Sequence, residues 1–291
     1  MSTTTDRTDA EVSAPARTTF TTQPADRAVA VGGVDLWVHQ RGAGPDVLLI
    51  GGLGDPYESW QGQLDGLAGR YRLTAPDNRG VGRTPMPAGD LSIRAMADDA
   101  AGALRELGIE RAHVAGFSMG GLVAQELALA HPQSVSSLTL LSSYARTDGL
   151  LHRTISSWIW LARVADDPRE FLRAFSAWLF SHRAHDGDFA EAWVQAGLDD
   201  PHPMSTEDFC AAARACLEHD ALDRLGAIAV PTLVVAGEED LVTPPRFARE
   251  LAERIPDAQL ELLPAYAHQS FMEVPDRVNA VLDRFFSEVT A

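Results

Sequence analysis

From about Ala28 onward, two hydrophobic rhythms take turns along the chain. Short apolar or alternating runs read as strands. Longer stretches with apolar residues every three or four positions read as helices buried along one face. Ala28–Val31 and Val34–His39 form the first pair, turning at Gly32-Gly33. Asp46–Ile50 is a continuous apolar run, the mark of a strand covered on both faces. A helix around Glu58–Leu67 and a strand at Tyr71–Ala75 follow. Ser92–Leu107 places Ile93, Met96, Ala100, Leu104 and Leu107 on one helical stripe. Ala112–Phe117 is a strand, Met119–Ala130 a helix and Ser137–Leu141 a strand. After an interruption come a strand at Ala229–Ala236, a helix at Pro244–Ile255, a strand at Ala258–Leu263 and a final helix at Phe271–Phe286. Such alternation with short loops predicts an α/β fold, a mostly parallel sheet with helices on both faces.

The interruption lies between about Tyr144 and Gly226 and reads as helices only. It is rich in aromatics: Trp158, Trp160, Phe171, Phe175, Trp178, Phe180 and Trp193. The expectation is a helical lid over residues 147–225, inserted after the sixth strand, with residues 25–146 and 226–291 forming the core. A lid there would cover the C-terminal edge of the sheet, where open α/β sheets bind ligands. Most of its aromatics are expected to pack its own core, with Trp158 and Trp178 as the candidates to face a substrate. Residues 1–24 are mostly Ser, Thr, Ala, Pro, Asp and Arg, without the apolar stretch a secretory signal needs, and are expected to be a disordered tail.

Composition removes several functions. The 41 acidic residues against 24 basic ones give a formal net charge of −17, which argues against nucleic acid and anionic membranes as partners. All 24 basic residues are arginine. Without a lysine there is no Schiff-base chemistry, no pyridoxal phosphate attachment and no P-loop. No cofactor and no metal are expected. Cys210 and Cys216 stand six residues apart in a helical stretch and are poorly placed to bridge, so a reduced, cytoplasmic protein is expected. His182 and His185 have no second pair of ligands to complete a metal site. No segment is long and apolar enough to span a membrane. A homo-oligomer is left open.

The chemistry centres on Gly116-Phe117-Ser118-Met119-Gly120, which reads G-x-S-x-G between a strand and a helix. Such a turn strains the serine backbone and lifts the hydroxyl clear of the sheet. A lone serine is a poor nucleophile, so an acid and then a histidine must follow, each after a later strand. Among Glu238, Glu239 and Asp240, the choice is Asp240, in the loop closed by Thr243-Pro244-Pro245. Of nine histidines, His268 alone lies just beyond the last strand and before the final helix. Ser118, Asp240 and His268 then act as nucleophile, orienting acid and general base. Backbone N–H groups of Met119 and Leu53 are the candidate oxyanion donors, and Gly52 is a candidate substrate contact in the same loop. Asp77 and Arg79 read as a salt-bridged brace of loop and core, and Trp60 as core.

From about Ala28 to the end, the chain resembles the α/β-hydrolase superfamily. The resemblance is carried by Pro76-Asp77-x-Arg79-Gly80-x-Gly82-x-Thr84, by Gly116-Phe117-Ser118-Met119-Gly120-Gly121, by Gly237-x-x-Asp240 with Pro244, and by His268 with Glu273 and Pro275. Within the superfamily, the stretch from Val230-Pro231-Thr232 to Pro275 and the turn around Ser118 are similar to 3-oxoadipate enol-lactonases and related small esterases, and cofactor-free haloperoxidases share the Gly-Phe-Ser-Met-Gly-Gly string. The resemblance implies a serine hydrolase acting on a small hydrophobic ester or lactone. One departure is visible: Gly51-Gly52 stand where members usually carry His-Gly, whose histidine commonly braces the oxyanion loop. Two alternatives stay open. A carbon–carbon bond hydrolase of dienone acids would add an arginine from Arg146, Arg153, Arg163, Arg169 or Arg173. A ligand receptor on the same fold would keep the three residues without turnover.

Overall fold

A computed structural model describes residues 26–290; the expected tail at residues 1–24 lies outside the described residues. Eight strands form one sheet: β1 (Arg27–Val31), β2 (Val34–Gly42), β3 (Asp46–Ile50), β4 (Arg72–Pro76), β5 (Ala112–Phe117), β6 (Val135–Leu141), β7 (Thr232–Gly237) and β8 (Gln259–Leu263). Their order is β1-β2-β4-β3-β5-β6-β7-β8. The β1–β2 and β2–β4 pairings are antiparallel, and every pairing from β4 to β8 is parallel. Strands β3 and β5 lie side by side, with Ile50 opposite Gly116, so the loops that follow them share one edge of the sheet.

Helices cover both faces. On one lie α2 (Ile93–Glu106), α3 (Met119–Ala130) and α9 (Pro245–Arg254), whose apolar stripes bury Met96, Leu104, Leu122, Leu127 and Leu251. On the other lie α1 (Gln61–Leu67), α10 (Ser270–Glu273) and α11 (Pro275–Thr290), burying Leu64, Phe271, Leu282 and Phe286. The single final helix expected from the pattern is two helices. Val274 cannot keep helical geometry easily before Pro275, and the chain breaks there (φ −138°, ψ 63°). The helix expected from Glu58 starts as a 3-10 turn, Tyr57–Trp60, before α1. Strand β7 starts at Thr232, because Pro231 has no N–H to give the ladder.

Between β6 and β7 the chain is helical: α4 (Gly149–Val164), α5 (Pro168–Leu179), α6 (His182–Asp186), α7 (Phe189–Asp199) and α8 (Thr206–Glu218). Aromatic side chains pack this insert. Trp158 meets Phe175 and Trp178 edge-on, and Phe171, Phe175 and Phe209 stack and cross at 5.4–5.8 Å. The two ends of the insert are joined. Arg146 and Asp220 form an antiparallel bridge, Ala221 N–H donates to Ala145 O at 2.9 Å, and the Tyr144 hydroxyl donates to Cys216 O at 3.1 Å.

Candidate active site

The sharp turn after β5 sets Ser118 at φ 50°, ψ −114°, a conformation that side chains other than glycine rarely adopt. Two contacts hold it there. Ser118 N–H donates to Leu141 O at 2.9 Å, and the Ser143 hydroxyl donates to Ser118 O at 2.9 Å. Gly120 allows the turn to press on the neighbouring strand end: a Cβ there would sit 2.6 Å from Gly51 O and closer still to Ile50 O. The glycine of the motif therefore serves backbone contact between the loops after β3 and β5.

The loops after β7 and β8 are zipped together by Glu238 N–H to Leu263 O (3.0 Å) and Glu239 N–H to Tyr266 O (2.9 Å). That pairing brings Asp240 to His268. His268 Nδ1 lies 2.8 Å from Asp240 Oδ2, and His268 Nε2 lies 3.0 Å from Ser118 Oγ. A proton on Nδ1 donates to the carboxylate and leaves Nε2 to accept the serine proton. Asp240 is 2% exposed. Its Oδ1 accepts from Val242 N–H and Thr243 N–H, both at 2.8 Å, and its Oδ2 accepts from the Thr243 hydroxyl at 2.9 Å. These donors hold the carboxylate's orientation. Glu238 and Glu239 are exposed, and Glu239 lies 3.2 Å from His182 of the insert.

Leu53 is half-buried in the loop after β3, and Met119 is buried at the first position of α3, where the helix leaves its N–H without an intrahelical acceptor. Gly52 is buried, and its N–H donates to Asp55 Oδ2 at 3.2 Å. At Gly51 the loop has closed over itself: a Cβ would stand 2.6 Å from Asp55 O, and Asn78 Nδ2 donates to Gly51 O at 3.0 Å. No side chain fits at that position without moving the loop. Trp158 is buried within the insert and Trp178 is half-buried beside it. Asp77 accepts from Tyr57 N–H (2.8 Å) and Arg83 N–H (2.9 Å), while Arg79 pairs with Asp99 of α2, so both act as braces toward different partners. Burial pushes the Asp77 carboxyl up to about 7. Trp60 is fully buried against Phe271.

Contacts between distant segments surround this centre. Glu273 accepts from the Ser181 hydroxyl (2.5 Å) and Ser181 N–H (3.2 Å), tying the insert to α10. Gln269 N–H donates to Leu179 O at 3.0 Å, a second tie beside His268. Asp55, Ser143 and Gln269 each read locally as an ordinary loop residue, so the sequence does not mark them, whereas Thr243 stands in the loop already assigned to Asp240.

The α/β hydrolase fold family model matches residues 45–275. This chain belongs to that family. It is 34% identical over 258 residues to RutD of Azorhizobium caulinodans, whose name assigns it provisionally as a carbamate hydrolase, covering 89% of this chain and 97% of that one. It superposes with a TM-score of 0.80 on a thermophilic esterase from Thermogutta terrifontis, at 27% identity, covering 91% and 97% of the two chains. The enol-lactonase from Burkholderia xenovorans gives 0.80 at 25% identity, covering 90% and 100%. The protein is an α/β-hydrolase enzyme. No helix among the described residues is long and apolar enough to cross a membrane.

Proposed function

We propose that this hydrolase cleaves small carboxylic esters or lactones through an acyl-enzyme. The observation that carries the reading is the hydrogen-bonded chain Ser118–His268–Asp240, with links of 3.0 and 2.8 Å. His268 takes the Ser118 proton as the hydroxyl attacks the carbonyl carbon, then gives it to the leaving alkoxide. Asp240 holds the imidazole and stabilises the imidazolium. Water, activated by the same His268, then frees the acid and restores the serine. The tetrahedral oxyanion sits against the N–H groups of Leu53 and Met119, each such donor contributing about 3–4 kcal/mol. The helical insert, residues 147–225, serves as the lid over a core of residues 25–146 and 226–291, and Gly52, Trp158 and Trp178 border the substrate. The named activities of the esterase, the enol-lactonase and RutD share attack on a carbonyl carbon, which supports the same step here. Two free, buried cysteines suit a reducing, cytoplasmic setting.

The dienone reading asks for an arginine free to hold a carboxylate. Arg146 pairs with Asp220 and Asp223, Arg169 and Arg173 pair with Glu191, and Arg153 and Arg163 are exposed, so the ester and lactone reading is preferred. The test incubates the full chain and its Ser118→Ala variant with a fluorophosphonate, then assays ester, lactone and dienone panels. Labelling of the wild type only, with turnover of esters or lactones, is expected. An unlabelled wild type would sink the hydrolytic serine, labelling without turnover would favour a receptor, and turnover confined to dienones would move the substrate class.

A further inference from the structure

The Asp55 side chain is buried, and its hydrogen bonds run to main-chain and neutral side-chain groups. Its Oδ2 accepts from Gly52 N–H at 3.2 Å, and its own N–H donates to Gly52 O at 3.4 Å. Residues 52–55 are thereby closed into a turn from both ends, with Leu53 inside it. The Ser59 hydroxyl reaches Oδ1 at 3.4 Å. From the far side, the side chain of Gln269 approaches the same carboxyl and favours its charged form. Gln269 follows His268 directly, and its NH₂ group is the end able to donate toward a carboxylate.

A carboxyl is an expensive group to bury here. An amide of the same shape would accept the Gly52 N–H and close the same turn without the desolvation penalty of a charge. What an amide cannot do is oppose the positive charge that grows on His268 during the reaction. We propose that Asp55 is a positioning residue that fixes the oxyanion turn through Gly52 and, through Gln269 and its charge, couples that turn to the state of His268. The proposal rests on the hydrolytic reading above.

His268 is the titratable group acting on Asp55; its other partners, the Gly52 N–H, the Ser59 hydroxyl and the Gln269 amide, are neutral. Burial pushes the Asp55 carboxyl up to about 6, while the bonds from Gln269 and Gly52 and the His268 charge pull it down. Above that pH the carboxylate accepts all its donors. Below it, protonation weakens the turn and removes the charge facing His268 as well.

The experiment compares wild type, Asp55→Asn and Gln269→Leu in the full chain, using fluorophosphonate labelling, kcat and KM on the best ester of the panel, pH profiles and thermal midpoints. For Asp55→Asn the expected result is labelling to the wild-type extent but more slowly. Its kcat falls about 10- to 100-fold with KM little changed, less than for outright loss of an oxyanion donor. The acid limb of its profile near pH 6 becomes shallower, because the Asp55 ionisation is gone, and its midpoint at pH 8 is no lower than that of wild type. Gln269→Leu shows a smaller kcat loss in the same direction. A labelled, active wild type with an Asp55→Asn variant of unchanged kcat and pH profile would overturn this proposal alone. Activity that falls only in step with the thermal midpoint would overturn it as well, leaving Asp55 a fold element. An unlabelled wild type would overturn the hydrolytic reading and the proposal with it.

Discussion

The loops at the sheet edge and the helical insert are built in opposite ways. At the edge, main-chain groups make the contacts: Gly120 presses on the ends of β3, the Asp240 carboxylate is held by two N–H groups, and the loops after β7 and β8 are zipped together. In the insert, side chain meets side chain, in a chain of rings running from Trp158 through Phe175 to Phe209. Backbone contacts fix position to fractions of an ångström and depend on few residue types. Aromatic packing fills volume and tolerates change of shape more readily. On the proposed reading, chemistry belongs to the first region and the second shapes the space around it.

The comparison breaks if the edge tolerates what the insert does not. The largest effect is expected for Ser118→Ala and His268→Ala: kcat falls on the order of 10⁴-fold or more while the thermal midpoint stays near wild type. A mild loss in His268→Ala would mean another group is the base. Next comes Trp158→Ala, which empties a ring-lined space and costs about 3–5 kcal/mol of stability in denaturant melts. A third effect lies where the insert joins the core. His219 is buried beside Glu126 and Arg224, and burial pushes its imidazole down to about 4. A depressed base binds fewer protons folded than unfolded, so the stability it allows is complete above pH 6.5 and is lost as pH falls toward 4. The loss is ~3 kcal/mol across that window. Asp77, raised to about 7, acts with the opposite sign, its stability lost as pH rises through 7. The measurement is therefore the difference in acid sensitivity between wild type and His219→Gln, which should flatten between pH 6.5 and 4. The smallest effect is expected for Trp160→Ser. Trp160 is 64% exposed, and its replacement should change stability by less than about 0.5 kcal/mol. A cost near that of Trp158→Ala would show that this face is covered in solution.

The same contrast governs what was legible in the residues. Ser118, Asp240 and His268 could be placed because a strained turn demands glycines and a parallel sheet delivers its loops in chain order. The strand–helix alternation fixed the sheet for the same reason. The break of the last helix at Pro275 had a local signal that the hydrophobic stripe concealed. Asp55 had none: an aspartate after Gly-Leu-Gly looks like any turn residue until Gln269 folds over it from 214 positions away along the chain. Ser181 and Glu273 meet across a separation of 92 residues. Such pairings depend on where helices pack, and no periodicity encodes them. The substrate-facing choice of Trp158 and Trp178 has the same weakness, since a helix stripe gives a face without saying what lies opposite.

The insert leaves the core at Tyr144–Arg146 and returns beside the same residues at Asp220–Ala221. A segment with both ends at one point behaves as a cassette. The sheet sees a single short junction, whatever the length of the loop beyond it, and the entropic cost of holding the ends is met by the Arg146–Asp220 bridge and the Tyr144 hydroxyl bond to Cys216 O. Replacing everything between those pins with a foreign helical hairpin is therefore expected to leave the sheet intact, and on the proposed reading to change specificity. The contacts a graft would have to reproduce are the Leu179 carbonyl for Gln269 and the Ser181 pair for Glu273.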